Sequence, residues 1–147
     1  MFRRILVSTD GTPRSGRAIK TAASLARTCG ATLTIYHAIP AYRTPYYPEG
    51  VGFDWPPESE YMRESAKEAA KLLAKARALA AKEGATVETA QSHSDETAEA
   101  IVAAASKARA ELIVMASHGR KGLEKMLIGS ETQRVLSHTK IPVLVVR

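Results

Sequence analysis

The 147-residue chain has a single cysteine, Cys29. An intramolecular disulfide is therefore excluded, and the expected setting is a reducing cytoplasm. Long hydrophobic runs are missing too, and nothing approaches the roughly 18 uninterrupted apolar residues of a membrane span. The start, MFRRILVSTDG, reaches an acid at Asp10 without a small-residue cleavage site, which speaks against a secretory signal. Familiar catalytic patterns are also absent. No GxxxxGK followed by Ser or Thr occurs, which excludes a standard P-loop, and no GxGxxG follows the first strand-like segment. His37, His93, His118 and His138 are scattered without metal-ligand spacing. There is no GxSxG or Cys–His arrangement, and Cys29, at a helix end, reads as a packing residue.

What is present has an ordinary globular balance: 45% hydrophobic and 24% charged residues argue against wholesale disorder. The length fits one domain, 1–147. The net charge of +6 is unevenly spread. Residues 1–48 hold seven basic and one acidic residue, residues 49–99 six and eleven, and residues 100–147 eight and three. If the two basic ends meet in the fold, their field favours an anionic ligand. The absence of a dense Lys/Arg run or a nucleic-acid motif disfavours a nucleic-acid partner.

Strand and helix signals alternate. Ile5-Leu6-Val7 before Asp10-Gly11 reads as a buried strand. Thr12-Pro13 opens a helix whose apolar face is Ile19, Ala22, Ala23 and Ala26, and Gly30 stops it. A second strand spans 32–39. Residues 40–57 form a long loop holding five of the chain's eight aromatics (Tyr42, Tyr46, Tyr47, Phe53 and Trp55). Such a loop reads as a lid, a partner surface or an insertion folded back over a core edge. A long helix over 58–83 ends at Gly84, and a half-exposed edge strand follows over 85–91. Ser94-Asp95 is expected to cap a third helix. Leu112–Ala116 is a strand, 129–139 a short helix and 141–146 a final strand. This alternation predicts an α/β fold: a five-stranded parallel sheet in the order 3-2-1-4-5, Rossmann-like, with helices on both faces.

In such sheets ligands bind beyond the carboxyl ends of the strands, where the strand order reverses. Two of the loops there are informative. In Ser8-Thr9-Asp10-Gly11, an acid can accept from a ribose or base, hold a cation, or simply satisfy loop N–H groups. In Ala116-Ser117-His118-Gly119-Arg120-Lys121-Gly122, glycines permit close ligand approach and Arg120 and Lys121 add positive charge. Ten residues on, Gly129 precedes Ser130, and Ser130 with Gln133 has capping-box spacing. The unpaired N–H groups of that helix start form an anion site.

These residues resemble the universal stress protein family. Its nucleotide motif, G-2x-G-9x-G-S/T, is matched by Ala116-Ser117-His118-Gly119, nine residues, then Gly129-Ser130. VSTDG, GSETQRVL and the terminal IPVLVVR are also typical, so the resemblance covers the whole chain. It implies an ATP- or AMP-binding regulatory module in the stress response, usually a homodimer, with no settled catalysis. It also implies roles. Asp10 would contact the nucleoside and could reach magnesium through the nucleotide. Ala38 and Met115 would line the adenine. Gly119, Gly129 and Ser130 would face ribose and phosphate, with Thr132 nearby, and Thr9, Arg120 and Glu131 complete the expected set. Ala116 departs from the motif, which begins with glycine. Its methyl would crowd the nucleoside or need a positive φ, at a cost of about 1–2 kcal/mol. With an ordinary φ and the methyl turned away, nothing is lost.

Two other readings stand beside this one. In the first, the chain is an interaction protein independent of nucleotide, dimerising through the edge strand Pro142-Val143-Leu144-Val145-Val146. In the second, it is a slow ATP hydrolase or adenylyl-transfer enzyme, for which only Asp10 and His118 offer a general base.

Overall fold

Five strands and four helices alternate in the computed structural model, which describes residues 1–44, 55–117 and 128–147. In chain order they are β1 (Arg4–Ser8), α1 (Pro13–Cys29), β2 (Thr32–Ile39), α2 (Glu58–Ala81), β3 (Thr86–His93), α3 (Thr97–Lys107), β4 (Leu112–Ala116), α4 (Ser130–His138) and β5 (Val143–Val146). All neighbouring strands pair in parallel, in the order β3-β2-β1-β4-β5, as the alternation predicts. The basic segments at the two ends of the sequence meet here, because β1 lies beside β4 and β4 beside β5.

Strand pleating divides the core into two layers. Ile5 and Val7 of β1 face α1 and α2, together with Leu33, Ile35, Val87, Leu112 and Val114. Leu6 faces the opposite way, with Tyr36, Ile113 and Met115, and packs against Ala98, Ile101 and Ala105 of α3 and Val135 of α4. Helix α1 presents Ala18, Ala22, Ala23 and Ala26 to the sheet, all fully buried. Such small side chains let the helix backbone lie close over the central strands. Cys29 packs at the margin of this layer, as expected of a helix-end packing residue.

The ends of α1 follow the sequence signals. The Thr12 hydroxyl accepts from Ser15 N at 3.3 Å, and Pro13 occupies the first helical position. Gly30 sits at φ 65°, in the left-handed region, where the Ala31 N–H reaches back to Ala26 O at 2.8 Å. Other ends differ from expectation. Ser94-Asp95 does not cap α3: the helix starts at Thr97 with Glu96 at the cap, and the Ser94 hydroxyl instead accepts from Glu96 N at 3.1 Å in a local turn. Helix α2 stops at Ala81, and Gly84 (φ 79°) shapes the turn that follows. The capping box of α4 is not formed either. Gly129 occupies the cap, Ser130 is the first helical residue, and Gln133 Nε2 turns to Ile128 O at 3.4 Å.

Of the loop expected over 40–57, residues 45–54 lie outside the described residues, with Tyr46, Tyr47 and Phe53 among them. Its flanks are tied together. Tyr42 donates to Pro56 O at 2.9 Å, Tyr61 of α2 donates to Pro40 O at 2.7 Å, and the two rings lie 5.5 Å apart.

Candidate functional site

The strand order reverses between β1 and β4. From β1 the chain proceeds outward to β2 and β3, then crosses back to β4. Residues just beyond the carboxyl ends of β1 and β4 therefore flank a natural crevice. Asp10 follows β1 and Ser117 follows β4. The Asp10 Oδ1 atom accepts from Thr12 N at 3.0 Å and from the Thr12 hydroxyl at 2.6 Å. The acid thus helps hold the turn into α1 at the edge of the crevice.

Helix α4 is fastened to the end of β4. Gly129 N donates to Ser117 O at 2.7 Å, and the buried Thr132 hydroxyl donates to Ala116 O at 3.1 Å. These bonds aim the start of α4 at the crevice. Among the described residues, no acceptor meets the N–H groups of Ser130, Glu131 and Thr132. The helix end therefore carries free donors and partial positive charge. Glu131 brings one carboxylate into the first turn, with Oε1 3.9 Å from Arg134. Gly129 has φ −69°, open to any residue, so its lack of a side chain matters for approach rather than for backbone shape.

Ala38 and Met115 belong to the same layer, the one containing α3 and α4. Ala38 lies two residues beyond the last registered β1–β2 pair, Ser8 with Tyr36, which puts it level with Asp10. Ala116 faces the other way, packing against the α1–α2 layer. Arg109 is the only non-glycine with positive φ among the described residues, so Ala116 has an ordinary backbone. Its methyl lies on the face opposite Ala38 and Met115. Gly119 and Arg120 lie outside the described residues, as do His118, Lys121 and Gly122.

Thr9 is separated from this set. Its hydroxyl lies 3.0 Å from that of Ser15, and its carbonyl accepts from His37 Nδ1 at 2.8 Å, all on the α1–α2 side. There it lines a groove of about 760 Å³ between α1 and α2, together with Ser15, His37, Tyr61, Ser65 and Leu72. His37 and Ser65 carried no signal in the sequence, because one strand histidine and one helix serine belong to no motif. Near the groove, Ser65 donates to Tyr61 O at 2.6 Å and therefore accepts from His93 Nε2 at 2.8 Å. Its only proton is committed to a backbone carbonyl, so the pair is not an activated nucleophile. On the opposite side of the sheet, the Tyr36 hydroxyl lies 2.7 Å from Ser92 Oγ. Burial pushes the Tyr36 pKa upward, and the Ser92 bond offsets part of that rise.

The pattern that describes the universal stress protein family matches residues 1–147. The chain belongs to that family. A universal stress protein of Bacillus subtilis, YxiE, is 33% identical over 150 residues, covering all of both chains. A universal stress protein of Methanocaldococcus jannaschii is 31% identical over 147 residues, all of this chain and 83% of the relative. Among solved structures, a universal stress protein in complex with cAMP superimposes with a TM-score of 0.68 at 25% identity, covering 99% of this chain and 97% of that one. The sheet order and helix layers described above are thus those of a universal stress protein domain. Among the described residues there is no group of three His, Cys, Asp or Glu residues able to hold a metal ion by itself, and no helix is long and apolar enough to cross a membrane.

Proposed function

We propose that this universal stress protein binds an adenine nucleotide, AMP or ATP, at the crevice between β1 and β4 and acts as a regulatory module. One observation carries the reading: the start of α4, tied to the end of β4 at the same edge of the sheet as Asp10, presents N–H groups that no acceptor among the described residues meets. Phosphate oxygens fit those donors. Asp10 accepts from the ribose, and Ala38 and Met115 supply an apolar wall on one face for the base. The ordinary backbone at Ala116 removes the objection raised by its missing glycine. The related protein solved with cAMP supports the ligand class. Magnesium, where present, arrives with the nucleotide. A cytoplasmic location is consistent with the lone, free cysteine.

Titration calorimetry with AMP and ATP tests the proposal. AMP binding in the wild type, abolished in a folded Gly129→Val variant, supports it; φ −69° accommodates valine, so the loss reports on ligand approach. Absence of heat at millimolar nucleotide sinks it. Mass spectrometry of small molecules released on denaturation identifies which nucleotide is carried.

A second reading has its own observation. β5 pairs only with β4 and forms the sheet edge, and Leu144 on it is 37% exposed. Pairing β5 with its copy in a second subunit makes a two-fold homodimer that satisfies this edge. Light scattering at micromolar concentration checks it: a monomeric wild type, or a dimer unaffected by Leu144→Asp, removes the strand from the interface.

A further inference from the structure

On the α3–α4 side the amino-terminal halves of β2 and β3 lie beside the carboxyl end of α3. The side chains there are polar: Thr32 pairs in register with Arg4 and Thr34 with Glu88. The carboxyl end of α3 forms a wall beside them. Together Arg4, Thr32, Thr34, Glu88, Lys107 and Arg109 line a concavity of about 530 Å³. It opens at the amino edge of the sheet, opposite the edge that holds Asp10.

Arg109 stands at φ 51°. Its N–H donates to Ser106 O at 3.0 Å, and the following Ala110 N–H reaches Ala105 O at 2.8 Å. That pair of bonds ends α3 with a left-handed residue, a place where glycine is ordinarily found because a side chain is strained there. The hydrogen bonds that end the helix are backbone only, and none of them uses the arginine side chain. Among the described residues, neither Arg109 nor Arg4 nor Lys107 forms an ion pair through its side chain. Arg109 thus lines the concavity with a guanidinium that has no carboxylate partner among the described residues.

The lining indicates a class of ligand. Three cations against the single carboxylate of Glu88 and the partial negative charge of the α3 carboxyl end leave a net positive charge. Two of the cations are guanidinia, whose forked donors match phosphate oxygens, and threonine hydroxyls supply further donors on the floor. Among the described residues Ala108 is the only apolar one in the lining, so these side chains offer little to a base, a ring or an acyl chain. We propose that the amino edge of the sheet is a second anion site, separate from the nucleotide crevice, that takes a short chain of phosphoryl groups of the pyrophosphate or tripolyphosphate class. The chain is either free or the tail of a larger molecule whose remainder stays in solvent.

Calorimetry with inorganic tripolyphosphate, on the whole chain with AMP present in excess to occupy the nucleotide crevice, tests the site. Arg109→Gly is the decisive variant because glycine adopts φ 51° without strain. Binding at least tenfold weaker, with an unchanged or higher melting temperature, is expected. Glu88→Gln, which removes the one carboxylate, is expected to bind several-fold tighter. Gly129→Val, at the opposite edge, is expected to bind within twofold of wild type, even where it abolishes binding of AMP. Repeating the titration with ATP on Gly129→Val separates the sources: retained ATP binding that Arg109→Gly weakens further means the tail of an organic molecule is accepted, and tripolyphosphate binding without it means the free chain is the ligand. The proposal is overturned by no tripolyphosphate binding at millimolar concentration, by equal affinity of wild type and Arg109→Gly, by a Glu88→Gln variant no tighter than wild type, or by loss of binding in Gly129→Val.

Discussion

Replacing Ala116 with glycine restores the residue that opens the family's nucleotide motif, and the structure gives the outcome a sign. The Ala116 methyl packs at the margin of the α1–α2 layer and is half buried there, on the face opposite Ala38 and Met115. Removing it forfeits about half of the ~0.8 kcal/mol that a fully buried methyl contributes. Glycine inside a strand costs a further ~0.5–1 kcal/mol in backbone freedom. The hydrogen bond from Thr132 to the Ala116 carbonyl survives, because it uses backbone. The sum is a destabilisation of about 1 kcal/mol, a fall of about 3 °C in melting temperature for a domain of this size. Nucleotide affinity stays the same, since φ is already ordinary and the methyl points away. Differential scanning calorimetry reads the first quantity and titration with AMP the second. A variant that melts higher than wild type, or binds AMP several-fold tighter, refutes the assignment of Ala116 to the α1–α2 face.

Other perturbations follow from the same geometry. Thr12→Ala removes the cap of α1 and the hydroxyl that bonds Asp10 at 2.6 Å; urea unfolding should show a loss of about 1 kcal/mol, and no loss would mean that Pro13 alone starts the helix. Tyr36→Phe breaks the 2.7 Å contact with Ser92 and should cost about 1 kcal/mol at neutral pH. Because burial raises the Tyr36 pKa above its ordinary 10.0, the wild type keeps this group's contribution below pH 10 and loses it as pH rises through the folded value; the phenylalanine variant should lack that alkaline limb in a pH series of melting temperatures. Glu111 is held below its ordinary 4.5, chiefly by hydrogen bonding from the Arg3 backbone. Its contribution is present above that pH and lost as pH falls through the lowered value, so Glu111→Gln should flatten the acid side of the same series, and an unchanged acid limb would contradict the assignment.

The strand–helix alternation was legible because period and punctuation are local. Ile5-Leu6-Val7 before Asp10-Gly11, and Thr12-Pro13 with Gly30, define β1 and both ends of α1 whatever surrounds them. Parallel strands with right-handed crossovers then leave few arrangements, and the order β3-β2-β1-β4-β5 is one of them. Helix starts were less legible. Ser130 and Gln133 have the spacing of a capping box, yet Gly129 N is drawn to Ser117 O, and that bond moves the cap back one residue. Ser94 likewise satisfies the Glu96 N–H in a turn and leaves α3 to begin at Thr97.

The candidate site divides in the same way. Sequence alone determined which loops stand beyond the strand ends, with Asp10 and the start of α4 in them, and the family resemblance added Ala38 and Met115 as expected base contacts. The same resemblance grouped Thr9 and Ala116 with them. Only the tertiary structure decided which face each side chain takes: the pleat sends Thr9 to Ser15 and His37, and turns the Ala116 methyl towards α1 and away from Met115. It alone also decided that Arg4, on the first strand, and Arg109, more than a hundred residues later, share one concavity. Local propensities act over a few residues, whereas the face of a strand and the company of a charge are set by packing between segments far apart in the chain.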